Sequence, residues 1–275
     1  MAAAAGPRSS YAALDGLRLH YLEWGAPDAP TLVLLHALGA LVTAHDWDGF
    51  AASMQSTHRV IAPDQRGFGL SDWTPTYSFQ LMAQDLAQLV ERLELDSFSL
   101  IGHSMGGTVA CLYAEAAPDR LRRLVLEDTV PPRDGRRNER PADVQWAFAG
   151  FDELLAVARQ HGLQGNDAEL RARFAPATRW LDGGRIAFRL DPAVPPAILA
   201  QLADPDPSWC RELARIGVPT LIVRGADSQV LDIERVTLAA ATITECRVVE
   251  VSDAGHSVHF DNPTGFLDAV CGFLD

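Results

Sequence analysis

The chain has 275 residues, 48% of them hydrophobic, which suffices for one large α/β domain carrying an insertion. Acidic residues outnumber basic ones by 36 to 23, and the net charge of −13 disfavours binding to nucleic acid or to an anionic membrane surface. Every basic residue is an arginine, which excludes Schiff-base chemistry on a lysine.

Targeting and metal-binding signals are missing from the sequence. The N-terminus has no signal-peptide pattern and no later run is long and apolar enough to span a bilayer, so we expect a cytoplasmic protein without a membrane partner. The four cysteines lie singly, which favours neither a disulfide framework nor a zinc site. We expect no metal and no cofactor.

Short apolar runs recur along the chain, and several lack the alternation of a half-exposed strand. They cover residues 17–24, 31–36, 59–64, 98–102, 124–128, 220–225 and 247–251. Helical patterns lie between them, the clearest starting at a capping Ser78 and continuing in a stripe of Met82, Leu86, Leu89, Val90 and Leu93. This order predicts an α/β fold with a doubly wound, mostly parallel sheet that binds ligands at the carboxyl ends of its strands.

The alternation stops after Leu126 and resumes at Val218. We predict an α/β core formed by residues 1–130 and 211–275, and a mainly helical cap at 131–210 with helical patterns at 144–160 and 167–174, a hairpin near 184–190 and a Pro-broken stretch to 208. The cap aromatics either line a substrate pocket or form the cap's own core. They are Trp146, Phe148, Phe151, Trp180, Phe188 and Trp209, of which we assign Trp146, Phe151 and Trp180 to substrate binding. The arginines at 133, 136, 137 and 140 are better explained as a solvated loop than as an anion site.

The strongest chemical signal is F-S-L-I-G-H-S-M-G-G, in which Gly102, Ser104 and Gly106 form G-x-S-x-G between an apolar strand and a helical run. A strand that turns sharply into a helix at Ser104 needs small flanking residues, and it projects the serine Oγ above the sheet. We predict that Ser104 is a nucleophile. The alternative, a helix-capping serine, leaves the glycines unexplained.

A serine nucleophile needs a base within hydrogen-bond reach. His256 follows the last strand-like run in D-A-G-H-S-V-H-F, just before a helix that begins near Pro263, and therefore lies at the same sheet edge as Ser104. His259 is the weaker candidate and fits packing or support of the site.

The oxyanion of the reaction needs two preorganised N–H donors. The Met105 amide follows the nucleophile at a helix start, and the Leu38 amide lies in the loop after the strand-like run T-L-V-L-L-H. We place His36 beside them at the substrate site, where its main role is to brace that loop.

Together these residues resemble the α/β-hydrolase superfamily over most of the chain outside the insertion. The motifs that carry the resemblance are L-L-H-A-L-G, A-P-D-Q-R-G-F-G-L-S-D, G-H-S-M-G-G and D-A-G-H-S-V-H-F-D-N-P. The resemblance implies the serine-nucleophile branch with a cap, and scaffold roles for Asp64, Arg66 and Ser71. Branches that use a carboxylate nucleophile share only the fold, because Ser104 stands at that position.

Two positions depart from the family pattern. Ala37 replaces the usual glycine of the first loop, which restricts positive φ there. The acid usually follows Gly225 by three or four residues, where this chain has Ser228 and Gln229. Asp227, early on that loop, is our first candidate, Asp128 at the end of the preceding strand is nearly equal, and Glu127 is weaker. A serine–histidine dyad is a further alternative.

The expected activity is hydrolysis of a small-molecule ester, thioester or lactone through an acyl-enzyme on Ser104, with the small substrate as the partner. Two alternatives stay open. In one, the same fold performs carbon–carbon bond hydrolysis, cyclisation or cofactor-free oxygenation with His256 as base, and in the other it is a ligand receptor without catalytic activity. The sequence indicates no oligomeric state.

Overall fold

The computed structural model describes residues 6–116, 118–131, 145–160, 165–203 and 213–274. Its main sheet has eight strands in the order β1-β2-β4-β3-β5-β6-β10-β11. Their bounds are β1 Arg8–Leu14, β2 Leu17–Trp24, β3 Thr31–Leu35, β4 Arg59–Pro63, β5 Phe98–His103, β6 Leu121–Glu127, β10 Thr220–Gly225 and β11 Cys246–Val251. β1 and β2 pair antiparallel with their neighbours, whereas all pairs from β4 to β11 are parallel. The predicted mostly parallel sheet is confirmed.

Helices cover both faces of this sheet. The described helices are α1 Asp48–Met54, α2 Phe79–Arg92, α3 Met105–Ala116, α4 Phe151–Gln160, α5 Asp167–Phe174, α6 Val194–Leu202, α7 Ile233–Thr242, α8 Val258–Asp261 and α9 Pro263–Leu274, of which α4 to α6 lie in the segment between β6 and β10. Ser78 is the N-cap residue of α2, as predicted, since its Oγ accepts the Leu81 N–H.

Successive residues of the buried strands point into two separate apolar cores. In β5, Leu100 belongs to the cluster with α2, α3 and α7, and Ile101 to the cluster with α1 and α9. Strands buried on both faces explain why these runs lack polar alternation.

Short 3-10 turns lie at Ala44–Trp47, Pro118–Arg120, Ala175–Ala177, Asp182–Gly184 and residues 213–215. None of the helices in the described part of the chain combines the length and apolar character needed to cross a membrane.

The segment between β6 and β10 contains α4, α5 and α6 and a small antiparallel sheet, with β9 (Ile186–Phe188) between β7 (Ala147–Phe148) and β8 (Thr178–Trp180). Two expectations for this segment were wrong. Residues 147–148 are a strand where a helix was expected, and the Pro-broken stretch contains α6, because its two prolines occupy the first helical positions, where no N–H donor is needed. The predicted cap boundaries adjoin residues 132–144 and 204–212, outside the described residues, so the division into core and cap stays a prediction.

The segment packs on the core near the carboxyl ends of the strands. The Tyr77 hydroxyl donates to Asp191 at 2.6 Å, and the Asp191 N–H donates to the Gly67 carbonyl at 2.8 Å. Burial and the hydrogen bond to Asp191 raise the pKa of Tyr77 to about 12, so this contact persists across ordinary pH. The sheet edge that carries the predicted catalytic residues is therefore flanked by the inserted segment.

Candidate active site

The turn from β5 into α3 places Ser104 at its apex. Ser104 has a φ of +51°, and its N–H donates to the Glu127 carbonyl at 3.1 Å. The flanking glycines allow this approach, because a Cβ on Gly102 would lie 2.5 Å from the Gly106 carbonyl oxygen and one on Gly106 would lie 2.4 Å from the Leu35 carbonyl oxygen. A non-glycine residue with positive φ held by its surroundings is typical of strained functional turns.

His256 lies on the loop after β11 and contacts the serine directly. Its Nε2 is 2.9 Å from Ser104 Oγ, close enough for the imidazole to take the hydroxyl proton. Gly225 lets this loop cross the end of β10, since a Cβ there would lie 2.0 Å from the Gly255 carbonyl oxygen.

Asp128 completes a chain of three side chains. Its Oδ2 is 2.7 Å from His256 Nδ1 and accepts the Ser228 hydroxyl at 2.6 Å, while Oδ1 accepts the Gly225 N–H at 3.2 Å. The side chain is fully buried, and its φ of +45° turns it from the strand direction toward the sheet edge. A buried carboxylate on Nδ1 fixes the tautomer in which Nε2 is free to act as base.

Asp227, our first candidate for the acid, is exposed and makes no side-chain contact with His256 in this arrangement. The Ser228 N–H donates to the Gly225 carbonyl at 3.0 Å and the Asp227 N–H to the Ala254 carbonyl at 2.9 Å, so the chain turns tightly after β10. This turn directs Asp227 outward and Ser228 inward. The geometry therefore favours Asp128, and the preference for Asp227 is not supported.

The loop after β3, where one oxyanion donor is predicted, is braced by His36, which is fully buried. Its Nδ1 is 2.9 Å from the Ala37 carbonyl, its Nε2 is 3.0 Å from the Gln65 amide, and its own carbonyl accepts from the Gln65 side chain at 2.7 Å. These partners fix one neutral tautomer, and burial lowers the pKa of His36. A side chain without exposed surface cannot touch substrate, so His36 supports the loop and is not part of the binding surface.

The two expected oxyanion donors lie in neighbouring segments. Met105 is the first residue of α3, where the backbone N–H groups have no partner within the helix, and Leu38 packs in the same apolar cluster. Ala37 is accommodated without positive φ, which among the described non-glycine residues occurs only at Glu94, Ser104, Asp128 and Asp253. The assignment of the Leu38 and Met105 amides to the oxyanion hole stays a proposal.

The described cap aromatics contact one another in three pairs. Trp146 and Phe148 both pack edge-on against Phe188, and Phe151 packs edge-on against Trp180. Trp146 and Phe151 are half-buried against the cluster that contains Leu38 and Met105, whereas Trp180 is 69% exposed and does not fit a buried pocket wall. Trp209 and the arginines at 133, 136, 137 and 140 lie outside the described residues.

Comparisons with known proteins identify the family of the chain. A family model described as alpha/beta hydrolase fold matches residues 30–263. The chain belongs to the α/β-hydrolase family.

Two relatives are similar to this α/β-hydrolase over most of its length. A 3-hydroxybutyrate-oligomer hydrolase of Cupriavidus necator is 30% identical, covering 90% of this chain and 89% of that protein. An sn-1-specific diacylglycerol lipase of Mus musculus is 29% identical, covering 91% of this chain and 82% of that protein. The solved structure of E-2-(acetamidomethylene)succinate hydrolase is 24% identical with a TM-score of 0.85, covering 98% and 99% of the two chains, and shows the shared fold. The chain is an enzyme of this family.

The scaffold loop of this α/β-hydrolase has the contacts that the resemblance implied. Asp64 accepts the Ala44 N–H at 2.7 Å and lies 2.7 Å from His20 Nδ1, and its carbonyl accepts the Ser71 hydroxyl at 2.6 Å. Arg66 forms a buried pair with Asp85 at 2.5 Å. These contacts hold the loop that supplies Gln65 to His36.

Sequence reasoning missed the inward role of Ser228 and gave no partner to His103. Both had a signal, since Ser228 occupies a position where the family resemblance led us to expect the acid, and His103 directly precedes the predicted nucleophile. His103, Glu127 and His259 are also the one group, within the described residues, whose possible ligand atoms for a metal ion all lie within 4.8 Å of one another.

A cavity of about 650 Å³ lies beside the triad, between α5 and the helices α1 and α9. Its wall includes Asp46, Arg173 and His259, but neither Ser104, Asp128 nor His256. Burial lowers the pKa of Arg173, which stacks on the Phe260 ring at 3.6 Å. This cavity is therefore distinct from the site of the triad.

Proposed function

We propose that the protein is a cofactor-free serine hydrolase that cleaves a small-molecule carboxylic ester, thioester or lactone. The continuous contact from Ser104 Oγ to His256 Nε2 at 2.9 Å and from His256 Nδ1 to Asp128 Oδ2 at 2.7 Å carries this proposal. Nucleophile, base and orienting acid then come from the chain, and the only co-reactant is water.

Acylation begins when His256 Nε2 accepts the Ser104 proton and Oγ attacks the substrate carbonyl carbon. The carbonyl π electrons move to oxygen, and the Leu38 and Met105 amides stabilise the oxyanion. When the oxyanion collapses, the bond to the leaving oxygen or sulfur breaks and the imidazolium donates its proton to the leaving group. Asp128 stabilises the imidazolium in both steps.

Deacylation repeats this sequence with water. His256 removes a proton from water, the hydroxide attacks the acyl-enzyme, and the proton returns to Ser104 Oγ as the acid product leaves. Ester substrates are supported by the two relatives whose names denote a 3-hydroxybutyrate-oligomer hydrolase and a diacylglycerol lipase.

The acid position had kept non-hydrolytic chemistry open, because a misplaced acid would leave Ser104 poorly activated. The 2.7 Å contact of Asp128 with His256 supports a complete triad and weakens that reason. Hydrolysis is therefore the function that the geometry supports best.

The test compares wild-type kinetics on short-chain aryl esters with Ser104→Ala and His256→Gln. Each variant should lower kcat by about 10⁶, and the double variant should lower it no further, because triad members act as a unit. Ser53→Ala, an exposed serine on α1, is the matched control and should keep wild-type kcat. Turnover by Ser104→Ala at the wild-type rate would overturn the proposal.

A further inference from the structure

Three buried residues lie beside the triad, and each is one to three residues from a triad member in the sequence. His103 precedes Ser104, Glu127 precedes Asp128, and His259 follows His256 by three residues on α8. All three side chains are buried, and we call this group the supporting layer. The proposed reaction does not use any of them.

Glu127 links the nucleophile to the segment that carries the base. Its carbonyl accepts the Ser104 N–H at 3.1 Å, and its carboxylate accepts both the backbone N–H and the ring Nδ1–H of His259 at 2.8 Å. Glu127 and Asp128, adjacent in the chain, therefore bind two histidines three residues apart, His259 and His256.

His103 makes the reciprocal link. Its Nε2 donates to the His256 carbonyl at 2.8 Å, and the two rings lie 4.8 Å apart. Burial lowers the pKa of His103, so it is neutral when it donates this bond. The backbone of the base is thus fixed to the residue before the nucleophile.

The Glu127–His259 pair is ionic. Burial opposes protonation of His259, but the charge and hydrogen bonds of Glu127 and the charge of Asp46, whose Oδ2 lies 3.4 Å from Nε2, outweigh it and raise the pKa of His259 to about 10. Burial likewise opposes ionisation of Glu127, and the two histidines of the layer overcome it and lower the pKa of Glu127. Trp47 stacks on the His259 ring at 4.3 Å and fixes its plane. A metal ion at this group would have to displace the proton shared by the pair, so the ion pair is the better explanation of the cluster.

The base needs such support. His256 lies on a half-exposed loop after β11, the edge strand of the sheet. A displacement of about 1 Å at a catalytic group can cost about 100-fold in rate. Supporting contacts that orient functional groups commonly change activity by about 10- to 100-fold.

We propose that Glu127 and His259 are positioning residues, which hold His256 between Ser104 Oγ and Asp128 by fixing α8 to the end of β6. The inference rests on the proposed serine hydrolase function. It assigns the two residues no contact with substrate.

The experiment measures aryl-ester kinetics of Glu127→Gln, His259→Gln and the double variant, at a temperature where circular dichroism shows each one folded. Glu23→Gln is the matched control. This substitution neutralises a buried glutamate on β2, away from the triad. The Glu23 carboxylate is paired with Arg59 at 2.6 Å. The double variant keeps the test usable if either single variant fails to fold, because it leaves neither partner of the pair charged and alone.

Glu127→Gln and His259→Gln should each lower kcat by about 10- to 100-fold with KM unchanged, and the double variant should resemble either single one. Glu23→Gln should lose stability without losing kcat. Wild-type kcat in folded Glu127→Gln or in the folded double variant would overturn the inference, since a purely structural pair affects stability alone.

A spectroscopic measurement separates this inference from the proposed function. Should the wild type not hydrolyse esters, the proposed function fails, and the imidazole ¹⁵N–¹H spectrum then decides the positioning role. The Nδ1–H signal of His256, assigned by its loss in His256→Gln, should shift or disappear in Glu127→Gln and persist in Glu23→Gln. An unchanged signal in Glu127→Gln would overturn the inference.

Discussion

The Asp128 carboxylate is fully buried and accepts hydrogen bonds from His256, Ser228 and Gly225. Ser228 occupies a place where the family resemblance led us to expect the acid, and its hydroxyl donates to the carboxylate of Asp128, which follows the neighbouring strand. Because burial of a carboxylate is costly unless it is hydrogen-bonded, these three contacts offset the cost of burying Asp128 beside His256.

Separate substitution of the two candidate acids tests which carboxylate orients His256. Asp128→Asn should lower kcat on aryl esters by about 10⁴, because the amide favours the wrong tautomer of His256. Asp227→Asn should leave kcat within about twofold, as expected for an exposed side chain without a partner in the triad. A large loss in Asp227→Asn alone would show that the acid is on the other loop.

At the scale of elements, the site depends on backbone segments that approach one another closely, with glycines where they meet. Gly106 brings the start of α3 against the oxyanion loop, where a Cβ would lie 2.4 Å from the Leu35 carbonyl oxygen and 2.7 Å from that of His36. A methyl group there must move the helix start or the loop, and either movement displaces Ser104 from the oxyanion donors.

We therefore expect Gly106→Ala to lower kcat by more than about 100-fold and to cost about 1–3 kcal/mol of unfolding free energy. Gly272→Ala is the matched control, since Gly272 also lies in a helix, α9, and a Cβ on it meets nothing within 4 Å. The control should be stabilised by about 0.5–1 kcal/mol. Urea unfolding and ester kinetics measure both effects, and equal kcat in the two variants would contradict the account of this turn.

The sequence predicted the seven core runs that became β2 to β6, β10 and β11, because strands buried on both faces have a distinctive apolar composition. It did not predict β1, whose residues Arg8–Leu14 are largely exposed and polar and pair only at the sheet edge. α6 was missed because its prolines were interpreted as breaks, although they begin the helix.

At the site, Ser104 and His256 were predictable because their local motifs encode the strand-to-helix turn and the loop before α8. The choice between Asp128 and Asp227 was not, since it depends on a turn at residues 225–228 that sends one side chain outward and the next inward. The pairing of Glu127 with His259 joins residues 132 positions apart and has no local signal.

At the scale of the whole molecule, buried charge concentrates where the strands end. Groups from three elements face His259. They are Glu127 on β6, His103 on β5 and Asp46 in the first 3-10 turn. The charge of Arg173 on α5 in turn helps to lower the pKa of Asp46. The supporting layer therefore couples the stability of the molecule to the geometry of its site.

This coupling predicts how stability varies with pH. The folded-state pKa of His259, about 10, exceeds its ordinary value of 6.5, so its contribution is fully present below pH 6.5 and is lost as pH rises through about 10. His259→Gln should be destabilised by about 3–5 kcal/mol near neutral pH, and the difference from wild type should shrink toward pH 10. Urea unfolding across this range measures it, with Glu23→Gln as a control that keeps the wild-type slope. A difference that stays constant with pH would contradict a charged His259.

Covalent labelling of Ser104 tests the central claim most directly, namely that this member of the α/β-hydrolase family uses Ser104, His256 and Asp128 as a hydrolytic triad. The protein is treated with a fluorophosphonate probe, and the labelled residue is located by peptide mass spectrometry in wild type, Ser104→Ala, His256→Gln and Asp128→Asn. We expect stoichiometric labelling of Ser104 in wild type, none in Ser104→Ala, and much slower labelling in the other two variants. A folded wild-type protein that is not labelled at Ser104 would contradict the claim.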